Sequence, residues 1–173
     1  VRLVVRGRAA ERVRYQGDVH RIRWRATWDP TSPPPPVYMS ASGPNMVRLA
    51  GEVSDGVGIG IMSSVAFVRD KVRPNAKAGA EAAGRDPNRL LFPTAATVSI
   101  NRDIAAAREA SKRAICKLYH PIPHPYYDSQ LRQMGFEEFA DQATQLVPAG
   151  RLREAIDLVP EEVVDTMTIT GDV

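Results

Sequence analysis

Apolar and polar positions alternate between Val13 and Trp24, the two-residue period of a β-strand. The run "RVRY", a turn at Gln16, Gly17 and Asp18, and the run "VHRIRW" predict a hairpin. Its faces carry His20, Ile22 and Trp24 on one side and Val19, Arg21 and Arg23 on the other. The following "DPTSPPPP" favours polyproline II and cannot donate to a ladder, so it predicts an extended linker.

From Pro36 the period switches between strand and helix. "VYMSA" predicts a strand, then a helix begins near Pro44 with Val47, Ala50 and Val53 on one stripe and the proline in a favourable first-turn position. "GVGIGI" predicts a second strand. A long helix follows over about 64–83, with Val65, Val68, Val72, Ala76 and Ala83 at three-to-four spacing and Gly84 closing it. "LLFPTAATVSI" predicts a third strand region, and Asn101 is the candidate cap of a helix over about 102–118. Beyond Tyr119, "HPIPHPYYD" reads as a loop, while "SQLRQMGFEEFADQATQLV", "GRLREAIDLV" and "PEEVVDTMTI" read as short helices. Repeated strand–helix units with apolar, non-alternating strands predict an α/β protein with a parallel sheet.

Composition narrows this picture. At 173 residues, 43% apolar and 25% charged, the chain suits one domain with one core. It divides into 1–28 (the basic end of a helix and the hairpin), 29–36 (the proline-rich linker), 37–118 (a βαβαβα core) and 119–173 (a loop and a helical insertion). The lone Cys116 precludes an internal disulfide, and no apolar run reaches membrane-span length, so the expectation is a cytoplasmic protein without a membrane partner. Residues 1–25 hold eight arginines against Glu11 and Asp18, a net +6 within a total of +3. With no recognisable nucleic-acid module, this basicity reads as a solvated face, and nucleic acid is not an expected partner.

Several side chains invite chemistry. His120 and His124 are four apart, but Pro121 and Pro123 exclude the helical face such a metal pair needs, so no metal is expected. Cys116 lies among Ala114, Ile115 and Leu118, the setting of an inert buried thiol. Glu137, Glu138, Glu161, Glu162 and Asp165 read as helix-start and surface carboxylates rather than acid–base pairs. The glycines and small residues of "PVYMSASGPNMVRLAGEVSDGVGIGIM" would let backbone N–H groups approach an anion at two successive strand ends.

That same stretch resembles the luciferase-like monooxygenase superfamily, in its deazaflavin-dependent, methylenetetrahydromethanopterin reductase-like branch. "VRYQGDVHRIR", "RPNAKAGAEAAGRDPNRL" and "LVPEEVVDTMTITG" resemble further segments of that branch, so essentially the whole chain is covered. The resemblance implies a partial TIM (β/α)8 barrel of about three parallel strands, corresponding to strands five to seven and lacking one to four and eight. It implies coenzyme F-420 as cofactor, with FMN as the alternative. Ser40, Ala41, Ser42 and Gly43, with Gly60, Ile61 and Met62, would line it at the C-terminal strand ends. The catalytic residues are unknown and expected in the absent N-terminal half.

Two functional readings follow. In the first, the chain is the C-terminal part of an oxidoreductase that transfers hydride between coenzyme F-420 (or FMN) and a small organic substrate, inactive as an isolated chain. In the second, it is a non-catalytic truncated-barrel protein for cofactor binding or interaction. Open sheet edges predict a homodimer or association with a complementary barrel half in either case.

Overall fold

The computed structural model describes residues 12–25 and 35–173. The expected basic helix end before the hairpin and most of the proline-rich linker lie outside the described residues. The alternating segment forms an antiparallel hairpin of β1 (Arg12–Gln16) and β2 (Arg21–Arg25). His20 belongs to the turn, where its carbonyl accepts from the Gly17 N–H, and the cross-strand register sorts the faces more sharply than expected. Arg12, Arg14, Arg21, Arg23 and Arg25 share one face with Gln16, and Val13, Tyr15, Ile22 and Trp24 share the other.

Beyond the linker, β3 (Tyr38–Ser40) and β4 (Gly56–Gly58) run parallel with Ser40 level with Gly58, and α1 (Pro44–Val53) crosses between them. The expected third strand serves two neighbours. Leu91 and Thr94 bridge in parallel to Gly56 and Ile59, and then β5 (Thr97–Ile100) pairs in parallel with β6 (Thr168–Gly171). The structure therefore adds a fourth parallel strand, β6, within a stretch read as helix. Four parallel strands in sequential order with intervening helices form an arc of a barrel.

The faces of β5 and β6 invert the usual rule. Thr97, Ser99, Thr168 and Thr170 are half-buried beneath the helical layer, and Ser111 on α4 (Ile104–Lys117) hydrogen-bonds Thr170 at 2.6 Å. Val98, Ile100 and Ile169 point the other way and remain 56%, 59% and 58% exposed. Tyr38 and Leu91, on either side of Gly56, are exposed as well. An all-parallel sheet is ordinarily covered on both faces. Here the described residues cover one.

The helix after β4 begins with α2 (Val65–Phe67), passes through a π-helical turn (Val68–Val72) and continues as α3 (Arg73–Ala82). Pro74 explains the turn, because a proline ring there clashes with regular i→i−4 bonding and a wider loop relieves it. Of the expected stripe, Val72 and Ala76 are buried, joined by Phe67 and Ala80, whereas Val65 is 80% exposed and Ala83 is exposed as well. Val53 is likewise exposed, and Gly51 takes its place in the α1 interface. A Cβ on Gly51 would enter the Ala76 carbonyl, and one on Gly79 would enter the Arg48 carbonyl, so α1 and α3 touch backbone to backbone. Gly84, at φ +66°, closes α3 as expected.

The C-terminal stretch packs α5 (Pro125–Gln133), α6 (Glu137–Leu146), α7 (Leu152–Asp157) and α8 (Glu161–Met167) against α4. Met134 packs against both this core and the one beneath α1 and α3. The cap of α4 is Asp103, whose carboxylate accepts from the Ala105 and Ala106 N–H groups. Asn101 instead accepts from the Asp103 N–H.

Candidate functional site

Because β3 and β4 are parallel and in register, their C-terminal ends emerge side by side. The first end, Ser40 to Gly43, leads directly into α1. Gly43 is the N-cap residue in an extended conformation, and a side chain placed on it would meet nothing within 4 Å. Its carbonyl accepts the first helical bond, from Val47 at 2.9 Å, and no side chain caps the helix. The N–H groups of Asn45 and Met46 thus face outward at the positive end of a ten-residue helix, beside the small side chains of Ser40, Ala41 and Ser42. Such an end suits an anionic group.

The second end is organised differently. Gly60 lies beneath the Tyr126 ring, where a Cβ would come within 2.8 Å of the phenol oxygen. That oxygen lies 3.4 Å from the Ser63 hydroxyl. Ile61 packs against the helical core and Met62 is buried in it, leaving their backbone at the strand end. Met62 adopts φ +67°, a left-handed conformation that is strained for a side-chain-bearing residue and turns the chain from β4 toward α2. Ser64 caps α2 by accepting from the Phe67 N–H at 3.1 Å, so its hydroxyl is already engaged.

Tyr126 is the contributor that sequence reasoning left in a loop. His124 caps α5, its Nδ1 accepting from the Tyr126 N–H, and Pro125 occupies the first turn. The rings of Tyr126 and Tyr127 meet edge-on at 4.9 Å, and His124 stands 5.0 Å from Tyr127. An N-cap followed by proline and an acid in the first turn, Asp128, was the signal available for this helix.

The other candidates are structural in their contacts. His120 is exposed and His124 serves as the cap described. Among the described residues, no three histidine, cysteine or carboxylate side chains gather into a metal-holding group. Burial pushes the Cys116 thiol up to about 12, so it is neutral near pH 7. Burial, reinforced by the Asp128 charge, also raises Tyr119, whose hydroxyl lies 3.5 Å from that carboxylate. Glu161 opens α8 and pairs with Lys112 and Arg108 of α4, and these partners hold its carboxyl below the ordinary range. Asp165 binds Arg108 at 2.8 Å. Glu137 and Glu138 occupy the first turn of α6.

A family profile for luciferase-like monooxygenases matches residues 1–173. Over 138 residues the chain is 31% identical to 5,10-methylenetetrahydromethanopterin reductase of Methanopyrus kandleri, covering 79% of this chain and 38% of that one. It is 35% identical over 106 residues to the F-420-dependent hydroxymycolic acid dehydrogenase of Mycobacterium tuberculosis, covering 59% and 28%. The solved coenzyme F-420-dependent tetrahydromethanopterin reductase of Methanopyrus kandleri superposes with a TM-score of 0.64 at 30% identity, over 79% of this chain and 38% of that structure. The chain thus spans less than two fifths of the length of these relatives, and its arc of strands and helices is part of a TIM barrel.

Proposed function

Because this chain belongs to the luciferase-like monooxygenase family, we propose that it contributes the cofactor-anchoring strand ends of a barrel oxidoreductase that transfers hydride between coenzyme F-420 and a small organic substrate. The observation that carries this reading is the uncapped start of α1, with unobstructed Gly43 and the outward Asn45 and Met46 N–H groups at the end of β3. These features fit the anionic part of a phosphate-bearing cofactor. When bound, the deazaflavin supplies the hydride chemistry, and FMN is the alternative ring. Ser40, Ala41, Ser42 and Gly43 would approach the cofactor closely. The Gly60 to Met62 backbone, walled by Tyr126, would bound the neighbouring strand end and help exclude water.

The seven lining residues contain no titratable side chain, so proton transfer to substrate requires groups from elsewhere in a complete barrel. The chain by itself would bind cofactor without turnover. The exposed Val98, Ile100 and Ile169 favour a second element of this reading, in which a complementary barrel half or a second copy covers the open sheet face. A non-catalytic truncated-barrel interaction protein would use the same surface.

Fluorescence titration of the purified chain with coenzyme F-420, and separately with FMN, tests the proposal. Saturable binding that Gly43→Glu weakens at least tenfold is the expected result, since the added carboxylate repels an anion at the α1 start. Failure of both cofactors to bind would remove the anchoring role. Binding of FMN alone would reassign the cofactor.

A further inference from the structure

The arginine face of the β1–β2 hairpin is not used by the site above. Its five guanidinium groups sit on one side of a two-stranded ribbon, with Arg12 opposite Arg25 and Arg14 opposite Arg23. Directly opposed residues stand about 4.5–5.5 Å apart at Cα and same-face neighbours along a strand about 6.6–6.8 Å apart, so like charges are crowded together. That arrangement disfavours the hairpin unless an anion lies across it. All five arginines are exposed, and among the described residues none is paired with a carboxylate.

A shallow hollow adjoins the ribbon. A pocket of about 250 Å³ is lined by Arg12, Val13, Arg14, Arg23, Trp24 and Arg25. By register Tyr15 and Trp24 belong to the opposite face, so the arginine face itself carries no aromatic side chain, although Trp24 also borders the hollow. Guanidinium forks suit tetrahedral phosphate oxygens. We propose that this face binds a compact oligophosphate, a chain of two or three linked phosphates whose nucleoside, if one is attached, is left unread. A triphosphate carries about four negative charges at neutral pH, matching the four guanidinium groups around the pocket. The site is independent of the redox reading and rests on the register, exposure and adjoining hollow of the hairpin.

Calorimetric titration of the full chain with sodium tripolyphosphate, at about 0.02 M and about 0.15 M salt, tests the assignment. Citrate and a short DNA duplex serve as the comparison anions. The expected result is saturable tripolyphosphate binding at least tenfold tighter than citrate. Arg14→Ala with Arg23→Ala should weaken it at least tenfold, and Arg14→Lys with Arg23→Lys should fall between, because lysine keeps charge but loses the fork. Circular dichroism and tryptophan emission, measured with Trp28→Phe so that it reports Trp24, matching those of the equally substituted parent would show that the hairpin persists in both variants. Absence of binding, equal affinity for citrate, or displacement of tripolyphosphate by the duplex at equal phosphate concentration would each overturn the proposal.

Discussion

Three glycines of the core and its site differ in what surrounds them, and that difference sets the outcome of adding one methyl group. Gly51 and Gly79 face backbone carbonyls of the opposing helix, which cannot rotate away. Gly51→Ala should cost about 2–3 kcal/mol and lower the melting midpoint by roughly 5–10 °C in a thermal scan. Gly60 faces only the tip of Tyr126, so Gly60→Ala should cost less, and a double-mutant cycle with Tyr126→Ala should give a coupling of about 0.5–2 kcal/mol. At the charged surface, Glu161 has its carboxyl held low first by Lys112 and then by Arg108. Its stabilising effect is complete above the ordinary glutamate value of about 4.3 and declines as pH falls toward the depressed folded-state value. Urea midpoints should therefore separate the parent from Glu161→Gln at pH 7, and the two curves should converge in strong acid.

At the scale of elements, caps and faces decide what could be read from the chain. Asp103→Ala should cost about 1 kcal/mol, because its carboxylate receives two helix-start N–H groups, whereas Asn101→Ala should cost less than half as much in the same urea titration. The run from Val37 to Ala83 was legible because Pro44, Gly84 and long apolar spacings mark its boundaries. Its finer stripe was legible only in part, since a π turn over Val68–Val72 changes the phase between the positions before it, such as exposed Val65, and those after it, such as buried Ala76. The first turn of α5 was hidden because Pro125 looks like a breaker in a proline-rich run yet occupies a helix start, while Ser129 to Gln133 were read as helix. For β6 the difficulty was its length of four residues and its reversed polarity, with Thr168 and Thr170 beneath the helices and Ile169 on the open face. The small-residue strand ends could be seen in the sequence, but the Tyr126 wall could not, because Gly60 and Tyr126 meet only in three dimensions.

For the whole molecule, the open sheet face is the dominant physical fact. Val98 and Ile169 are paired neighbours on it, and both are more than half exposed. Substituting both with lysine should leave the circular dichroism unchanged while lowering self-association in sedimentation velocity, because neither side chain supports the covered core. If the pair instead unfolded the chain, the face would be internally buried and the barrel-completion reading would fail. The inverted polarity of β5 and β6 also bears on synthesis. Among the described residues, pairing these two strands leaves Val98, Ile100 and Ile169 more than half exposed, so faster pairing alone would not end their vulnerability to aggregation. Under the proposed barrel-completion reading it would end only when the covering half or second copy arrives, so recoverable yield would then follow that companion's abundance during translation.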